Sequence, residues 1–241
     1  MNNSVQIIPF ANLIISFIPV VVILGILFKW SLNSKYAIYA IARMLIQLLL
    51  IGYFLTYIFE SKSSLIVIIS LVVMLFSSSW IALGTVKAKR MILYKNVILS
   101  IAIGGFSTLL FVTQGVLNLE PWYLPRYLIP LAGMIFANSM NSVSLAAERL
   151  NAEIEREIPY DKARKIALQA SLIPIMNSLF AVGLVSIPGM MTGQILSNIS
   201  PLIAARYQIM VMCMIFGSAG ISSACFLTLA KAHFSKKSKT V

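Results

Sequence analysis

The sequence has few charged residues and almost none of the side chains that commonly carry chemistry. Only 11% of the 241 residues are charged, with seven acidic residues, one histidine and two cysteines. No Asp or Glu lies well inside an apolar stretch, so the chain cannot assemble a zinc-protease site or a carboxylate dyad within a membrane. A phosphate-binding G-x-x-x-x-G-K-S/T loop is also missing from the sequence. We therefore predict that this chain is not an enzyme and binds no cofactor itself.

Long uncharged runs are what the sequence has instead. The chain is 59% apolar with a mean hydropathy of +0.92, more apolar surface than a soluble domain of this length could bury. A helix needs about 20 apolar residues to cross the hydrocarbon core of a bilayer. We predict an all-α, polytopic integral membrane protein in the cell (inner or plasma) membrane, forming a single transmembrane domain over residues 1–241. About seven spans are expected, near 5–28, 37–59, 65–83, 97–119, 125–147, 172–195 and 207–230.

The positive charges indicate an orientation. Alternate connections carry 16 of the 19 Lys and Arg residues, and the remaining connections carry only Lys62, Arg126 and Arg206. Because basic residues favour the cytoplasmic side, we predict an external amino terminus and a cytoplasmic carboxyl terminus. The last basic cluster comprises Lys231, Lys236, Lys237 and Lys239. The net charge of +12 is then a topology signal, and no nucleic-acid partner is expected.

The 40 uncharged residues from 166 to 205 are too many for one ordinary span. Two tight spans there would place the carboxyl-terminal lysines outside, against the charge pattern. We therefore predict one crossing that begins near Leu172, followed by a non-helical or re-entrant piece around 187–201. Proteins must bury such a piece, because lipid cannot satisfy free backbone groups. Whether 187–201 is re-entrant or extracellular stays open.

The segment 148–171 has the pattern of a cytoplasmic docking element. Leu150, Ile154 and Ile158 recur at helical spacing, and Pro159 ends that helix. A second amphipathic helix follows, with Asp161 as a possible cap. Its apolar face comprises Ala163, Ile166, Ala167 and Ala170. Mixed charges on the opposite face favour a protein partner, although a helix lying on the membrane surface is the alternative.

Several polar and small side chains lie within the predicted spans. Asn138, Asn141 and Ser142 share one helical face, which indicates either interhelical hydrogen bonds or a face lining a substrate path. Gly104 and Gly105 predict a close helix approach, as do the small residues of the last span. These are Gly217, Ser218, Ala219, Gly220, Ser222 and Ser223. The methionines are ordinarily packing residues, but they are also weak candidates for soft metal ligands: Met190, Met191, Met210 and Met214.

A family resemblance rests on words distributed along nearly the whole chain. They are RMLIQL and GYFLTYIF in the second span, IPLAGMIFANSM in the fifth, GLVSIPGMMTGQIL in the sixth, and SPLIAARYQIMVM before the seventh. These words resemble the iron-export ABC transporter permease family, which includes FetB and the plant aluminium-sensitive and aluminium-resistance membrane proteins. The PGMMTGQIL and YQIMV words together are specific.

The resemblance implies a permease subunit of an ATP-driven ABC exporter of iron or another metal. It also implies a cytoplasmic ABC ATPase subunit that binds ATP and Mg, and a permease homodimer. Motion of the docking helix would then pass through Pro174 to a break at residues 188–193. There, glycines and free carbonyls would meet the polar side chains. The expected substrate path comprises Asn138, Asn141, Asn177, Pro188, Gly189, Met190, Met191, Gly193 and Gln194.

Two other functions remain open. The lack of acidic or histidine ligands favours a permease for a lipid or a small organic solute. A membrane scaffold that binds a cytoplasmic protein and transports nothing would share the docking element. The sequence does not identify the substrate, the stoichiometry, or whether a metal moves free or as a complex.

Overall fold

The structure is a computed structural model that describes residues 8–60 and 63–235. The first three residues of the predicted first span (5–7), together with Lys62, Lys236, Lys237 and Lys239, lie outside the described residues. The helices are α1 (Phe10–Ile15), α2 (Ile18–Lys29), α3 (Ser34–Glu60), α4 (Ser64–Ala82), α5 (Arg90–Leu110), α6 (Pro125–Glu155), α7 (Tyr160–Ala181), α8 (Gly189–Leu196), α9 (Pro201–Leu229) and α10 (Lys231–Ser235). A short 3₁₀ turn (Lys87–Lys89) precedes α5 and a π-helical turn (Phe111–Val116) extends it.

Six helical stretches of the described chain are long and apolar enough to cross a membrane. They are Ala11–Lys29, Ser34–Glu60, Ser64–Ala82, Lys87–Val116, Pro125–Glu155 and Pro201–Leu229. The predicted all-α, polytopic fold class is therefore confirmed. The stretch predicted as the sixth of seven spans, 172–195, does not form one helix. Its residues are divided between α7, which begins at Tyr160, and the eight-residue α8.

Contacts divide the chain into two compact units, Met1–Ser61 and Lys62–Val241. In the first unit, α2 and α3 pack against each other. Helices α1 and α2 are separated at Ser16 and Phe17, just before Pro19, which removes one backbone donor from the helical ladder. Large apolar side chains of α3 are exposed, including Leu49 and Tyr53, as expected for a surface that faces lipid.

The second unit is built around α5, α6 and α9, which pack against one another. Helix α4 packs against α5 and α6, α7 against α6 and α9, and α8 against α9. Apolar burial between helices is a weak driving force in lipid, so close packing and hydrogen bonds must hold this bundle together. Phe136 of α6 and Phe226 of α9 are the largest fully buried side chains.

Small residues allow the closest approach in this bundle, between α5 and α9. A Cβ atom placed on Gly104 would lie 2.7 Å from the backbone nitrogen of Ser222 and 3.0 Å from the carbonyl oxygen of Ser218. A Cβ atom on Gly105 would lie 2.6 Å from the Phe136 ring. The predicted role of both glycines is thus supported. In the last span, Ser218, Ala219, Ser222 and Ser223 are buried as expected.

Two other small residues of the last span behave differently from that expectation. A Cβ atom added to Gly217 or Gly220 meets no described atom within 4 Å. These two glycines therefore do not allow a close helix approach within the described chain. The small residues of α9 lie on more than one face of the helix. Only some of them pack against neighbouring helices of the described chain.

The connection between α6 and α7 is short and tightly held. Helix α6 continues to Glu155, Glu157 takes a left-handed conformation with a φ of 63°, and Pro159 precedes the first turn of α7. Both halves of the predicted docking segment 148–171 are thus extensions of longer helices. Pro159 fixes this boundary because proline is favoured immediately before or at the start of a helix.

Candidate functional site

Three neighbouring cavities lie along one face of α6, where α7, α8 and α9 approach it. We name them after one polar component each. The serine cavity, of about 100 Å³, includes Ser142, Leu145 and Ser171. The glutamine cavity, of about 300 Å³, includes Gln208. The arginine cavity, of about 240 Å³, includes Arg126.

Shared residues show that the three cavities form one row. Asn138, Ile175 and Ser178 line both the serine and the glutamine cavities. Met134 and Met190 line both the glutamine and the arginine cavities. At a rise of about 1.5 Å per residue, the part of α6 from Arg126 to Leu145 covers about 28 Å, close to the thickness of the hydrocarbon core. The row is therefore long enough to serve as a path across a membrane.

The glutamine cavity is rich in oxygen acceptors. Gln208 is only 5% exposed, and its Oε1 has no hydrogen-bond partner among the described residues. Asn138 uses its Nδ2 to donate to the Met134 carbonyl at 2.8 Å, which leaves Oδ1 as an acceptor. The Ser178 hydroxyl donates to the Pro174 carbonyl at 3.0 Å, so its oxygen can also accept. A positively charged or hydrogen-donating ligand would complement this lining.

The break between α7 and α8 covers residues 182–188 and borders the same cavity. Gly183 has a φ of +83°, which favours glycine, and Pro188 immediately precedes α8. Two backbone oxygens of this segment have partners. The Ser186 carbonyl accepts from the Gly183 N–H at 3.0 Å, and the Pro188 carbonyl accepts from the Thr192 N–H at 3.0 Å. Among the side chains of the cavity, Gln208 has an oxygen without a hydrogen-bond partner in the described chain.

Four of the predicted path residues meet at the glutamine cavity: Asn138, Pro188, Gly189 and Met190. Asn141 lines the serine cavity. The other four do not line any of the three cavities within the described chain: Asn177, Met191, Gly193 and Gln194. Gln194 resembles Gln208 in one respect, because its Oε1 is also buried without a hydrogen-bond partner in the described part of the chain.

The predicted break at residues 188–193 and the proposed role of its glycines differ from the structure. Residues Gly189–Leu196 form α8, because Pro188 can begin a helix although it cannot continue one. A Cβ atom on Gly189 or Gly193 would meet no described atom within 4 Å. Neither glycine therefore provides a close backbone approach here, and the irregular segment lies just before α8 instead of within it.

The fold brings two of the four weak metal candidates to one cavity and keeps the other two apart. Met190 and Met210 line the arginine cavity, and Met190 also lines the glutamine cavity. Met214 is 2% exposed and packs in the core, and Met191 does not line any of the three cavities within residues 63–235. Two methionines that were not predicted from the sequence, Met134 and Met212, also line the glutamine cavity. Among the described residues, no group of three or more His, Cys, Asp or Glu side chains is arranged so that it could hold a metal ion.

The predicted docking residues fall on two sides of α7. Ala163 and Ala167 are fully buried, and Ile166 and Ala170 are half-buried. The apolar face of the first turns therefore packs within this unit. Asp161 is exposed and pairs with Arg164 at 3.4 Å and with Lys231 at 3.8 Å. The exposed side of these turns is charged and includes Lys162 and Lys165.

Charged groups hold the end of α6 and the start of α7 in place. Glu153 is 4% exposed, and its Oε1 lies 2.7 Å from Arg149 Nη2 and 3.5 Å from Arg156 Nη1. Tyr160 donates its hydroxyl hydrogen to the Leu227 carbonyl. Burial of the ring raises the pKa of the Tyr160 phenol from 10.0 to about 12, with Arg164 lowering it and Asp161 raising it further. The connection between α6 and α7 is thus a fixed element attached to α9.

Gln208 is the residue of the site that sequence reasoning missed. A signal for it exists, because it is a polar side chain in an otherwise apolar stretch, YQIMVMCMIF. Polar groups inside a membrane are costly, so such a residue usually faces protein or a cavity. Ser178 and Met134 carry no comparable signal, since serine and methionine are frequent packing residues in membrane helices.

Comparisons with known proteins agree with this architecture. The family model described as "Uncharacterised protein family (UPF0014)" matches residues 10–160 and 156–234. "Probable iron export permease protein FetB" of Escherichia coli is 31% identical over 223 residues, covering 84% of this chain and 83% of that protein. "Protein ALUMINUM SENSITIVE 3" of Arabidopsis thaliana is 32% identical over 222 residues, covering 85% and 80%.

A further relative, "UPF0014 membrane protein YjkA" of Bacillus subtilis, is 33% identical over 231 residues and 88% of each chain. No solved structure matches this chain. These matches extend over both units and include α6 to α9, which line the cavities. The chain is therefore a permease-like membrane protein of the UPF0014 family.

Proposed function

We propose that this chain is the transmembrane permease subunit of an ATP-driven ABC exporter that carries iron or another metal out of the cell. The observation that carries the proposal is the row of three cavities, which is about as long as the hydrocarbon core is thick. Its acceptor-lined centre suits a cation. The relative named as an iron export permease supports the same class of substrate.

A separate ATPase would supply the energy. No acidic side chain lines any of the three cavities in the described chain, so a proton-coupled mechanism has no titratable carboxylate at the path. The α6–α7 connection is the proposed contact for the ATPase, through the exposed charges of Lys162 and Lys165. Because α7 runs directly from this connection to the glutamine cavity, a push at Asp161 would reach the cavity through one helix.

Two permease chains and two ATPase chains would form the complete exporter in the cell membrane. In this mechanism, closure of the ATPases upon ATP binding moves α7 relative to α6. Pro174, which lies inside α7, and the irregular segment 182–188 would allow α7 and α8 to shift separately. The glutamine cavity then alternates between access from the serine cavity and access from the arginine cavity.

Inside-out vesicles test this proposal. Vesicles from cells that express the full-length chain and its ATPase should accumulate radioactive ferrous iron, or another metal, in an ATP-dependent manner. Vesicles without the chain should not. Transport that needs ATP but responds only to a lipid or an organic solute would overturn the metal assignment. Accumulation that is the same with and without ATP would overturn the ABC mechanism.

Charge reversal tests the docking surface. Lys165→Glu should reduce the amount of ATPase recovered with the purified permease by about tenfold, and the rate of ATP-dependent transport by the same factor. The reason is that glutamate would repel the acidic groups of the ATPase that Lys165 is proposed to attract. Lys95→Glu is the matched control, since Lys95 is also an exposed lysine of the second unit but lies on α5. Equal ATPase recovery with both variants would exclude Lys165 from the contact.

A further inference from the structure

We infer that the glutamine cavity is a binding site for a soft, singly charged metal cation of the Cu(I) type, held by the thioethers of Met134, Met190 and Met212. The inference rests on the proposed function, because it names the class of metal that the path would select. It depends on three side chains that line one cavity of about 300 Å³.

Oxygen atoms of neutral side chains surround the glutamine cavity and favour a positive charge in it. Gln208 lines the cavity and is 5% exposed, and its buried Oε1 has no hydrogen-bond partner within the described chain. Asn138 and Ser178 each direct a hydrogen to a backbone carbonyl, so their oxygens are also available as acceptors. The negative partial charges of these oxygens would stabilise a cation that the methionines hold.

The side chains that line the glutamine cavity are uncharged. Its oxygens belong to neutral amide, hydroxyl and backbone groups, and its remaining donors are thioethers. The cost of removing an ion from water rises with the square of its charge, and only opposite charge or dense coordination offsets it. A divalent ion would therefore lack compensation in this cavity. A singly charged ion loses much less hydration free energy when it enters the cavity.

The sulfur atoms that line the glutamine cavity are soft ligands. Thioethers select Cu(I), whereas carboxylates, carbonyls and water suit hard ions, and imidazole suits Zn and Fe. Three methionines from three different elements line this cavity: Met134 from α6, Met190 from α8 and Met212 from α9. No cluster of three His, Cys, Asp or Glu residues competes with them in the chain as described.

The same methionines indicate an exit for the ion. Met134 and Met190 line both the glutamine and the arginine cavities, and Met210 lines the arginine cavity. An ion could thus exchange one thioether for another as it moves outward. Arg126 then disfavours a long stay in the arginine cavity, because its guanidinium carries the same sign of charge.

Cu(I) binding by the purified full-length protein tests the inference. The chain in detergent is titrated anaerobically against a coloured Cu(I) chelator, with Ag(I), Fe(II) and Zn(II) as competitors. We expect one Cu(I) per chain, displaced by Ag(I) and not by Fe(II) or Zn(II). Met134→Leu and Met190→Leu should each weaken binding by at least about tenfold, and Gln208→Leu should weaken it as well.

Met176→Leu is the matched control. Met176 is an exposed methionine of α7, and it lines none of the three cavities in the described chain. Leucine nearly conserves the volume of methionine, so these variants should fold, which gel filtration checks. X-ray absorption of the Cu(I) complex should show sulfur ligands that decrease in number in Met190→Leu.

Two outcomes would overturn the inference. One is Cu(I) affinity that is unchanged in Met134→Leu, Met190→Leu and Gln208→Leu. The other is Fe(II) or Zn(II) competing as well as Ag(I). Neither result decides the proposed function, which the vesicle experiment tests separately. Vesicles that export Fe(II) with ATP would support metal export even if the soft-cation site were wrong.

Discussion

The hydroxyl oxygens of Ser142 on α6 and Ser223 on α9 lie 2.7 Å apart, and both residues are buried. Ser142 also lies within 3.2 Å of the Ser171 carbonyl on α7. One serine therefore connects the three helices that surround the serine cavity. The predicted polar face of α6 thus has two roles, because Ser142 contributes to interhelical hydrogen bonding while Asn138 and Asn141 line cavities.

Replacing Ser142 by alanine should destabilise the second unit by about 0.6 kcal/mol, and by no more than about 1.7 kcal/mol, the range found for interhelical hydrogen bonds in membranes. Ser223→Ala should cost about the same, and the double variant should cost less than the sum, because both changes remove one shared contact. Unfolding in mixed detergent measures these differences. Ser77→Ala, at an exposed serine of α4, is the control. Strict additivity would contradict direct coupling.

Gly104→Ala should separate α5 from α9. The added Cβ atom would lie 2.3 Å from Ser222 Oγ and 2.7 Å from the Ser222 backbone nitrogen, and the backbone cannot rotate away. We expect a loss of about 1–3 kcal/mol in the free energy of unfolding, typical of overpacking. Thermal unfolding in detergent measures this loss.

The control for Gly104 is Gly220→Ala on α9, where the new Cβ atom meets no described atom within 4 Å. Alanine favours a helix over glycine by about 1 kcal/mol, so Gly220→Ala should leave stability unchanged or raise it. A gain in stability in both variants would show that the two helices are not in close contact at Gly104.

Glu153→Gln should loosen the end of α6. The change removes the negative charge that faces Arg149 and Arg156, which then have no anionic partner at this position. Because both arginine side chains are partly exposed and can turn toward water, the expected loss is about 1–2 kcal/mol, less than for a fully buried pair. Hydrogen exchange of residues 149–160 measures the local effect. Glu148→Gln, at an exposed position, should have no such effect.

Tyr160 predicts a loss of stability at alkaline pH. Burial raises the pKa of its phenol to about 12 in the folded chain, against 10.0 for the ordinary group. The stability from the neutral phenol is therefore fully present below about pH 10 and is lost as the pH rises from about 10 through 12. Tyr160→Phe removes the hydrogen bond to the Leu227 carbonyl and this pH dependence together.

The measurement is the difference in unfolding temperature between the wild-type chain and Tyr160→Phe at pH 8 and at pH 11. We expect wild type to be the more stable at pH 8 and this advantage to decrease at pH 11. The comparison with the variant cancels the titration of the other tyrosines and the lysines. An advantage that is the same at both pH values would mean that Tyr160 does not titrate differently on folding.

Membrane insertion and most helix positions could be predicted from the amino-acid sequence. The uncharged runs located all six helices that are long and apolar enough to cross a membrane, because the length of a span is set by the thickness of the bilayer and not by tertiary contacts. The exception is the stretch 166–205. In this stretch, apolar composition does not distinguish one long span from a helix that is followed by an irregular segment and a short helix. Both arrangements are equally apolar.

The helix boundaries around that stretch depend on prolines and glycines. The sequence shows where these residues are, but not which of their possible backbone roles each one takes. Pro188 can interrupt a helix or begin one, and in the structure it begins α8. Gly183 adopts the left-handed backbone conformation, whereas Gly189 and Gly193 lie within α8. The sequence alone does not distinguish these three glycines. The position at which α7 ends decides which of them takes the left-handed conformation.

The site illustrates what the sequence by itself determined and what only the tertiary structure decided. Composition predicted that the chain crosses a membrane through long uncharged stretches, and it provides only seven acidic residues and one histidine. The fold decided which side chains share a cavity, bringing Asn138, Met190, Met212 and Gln208 together from three helices, while Asn177 and Met191 do not line that cavity. Helical spacing defines the face of one helix only, and the match between faces of different helices arises from packing.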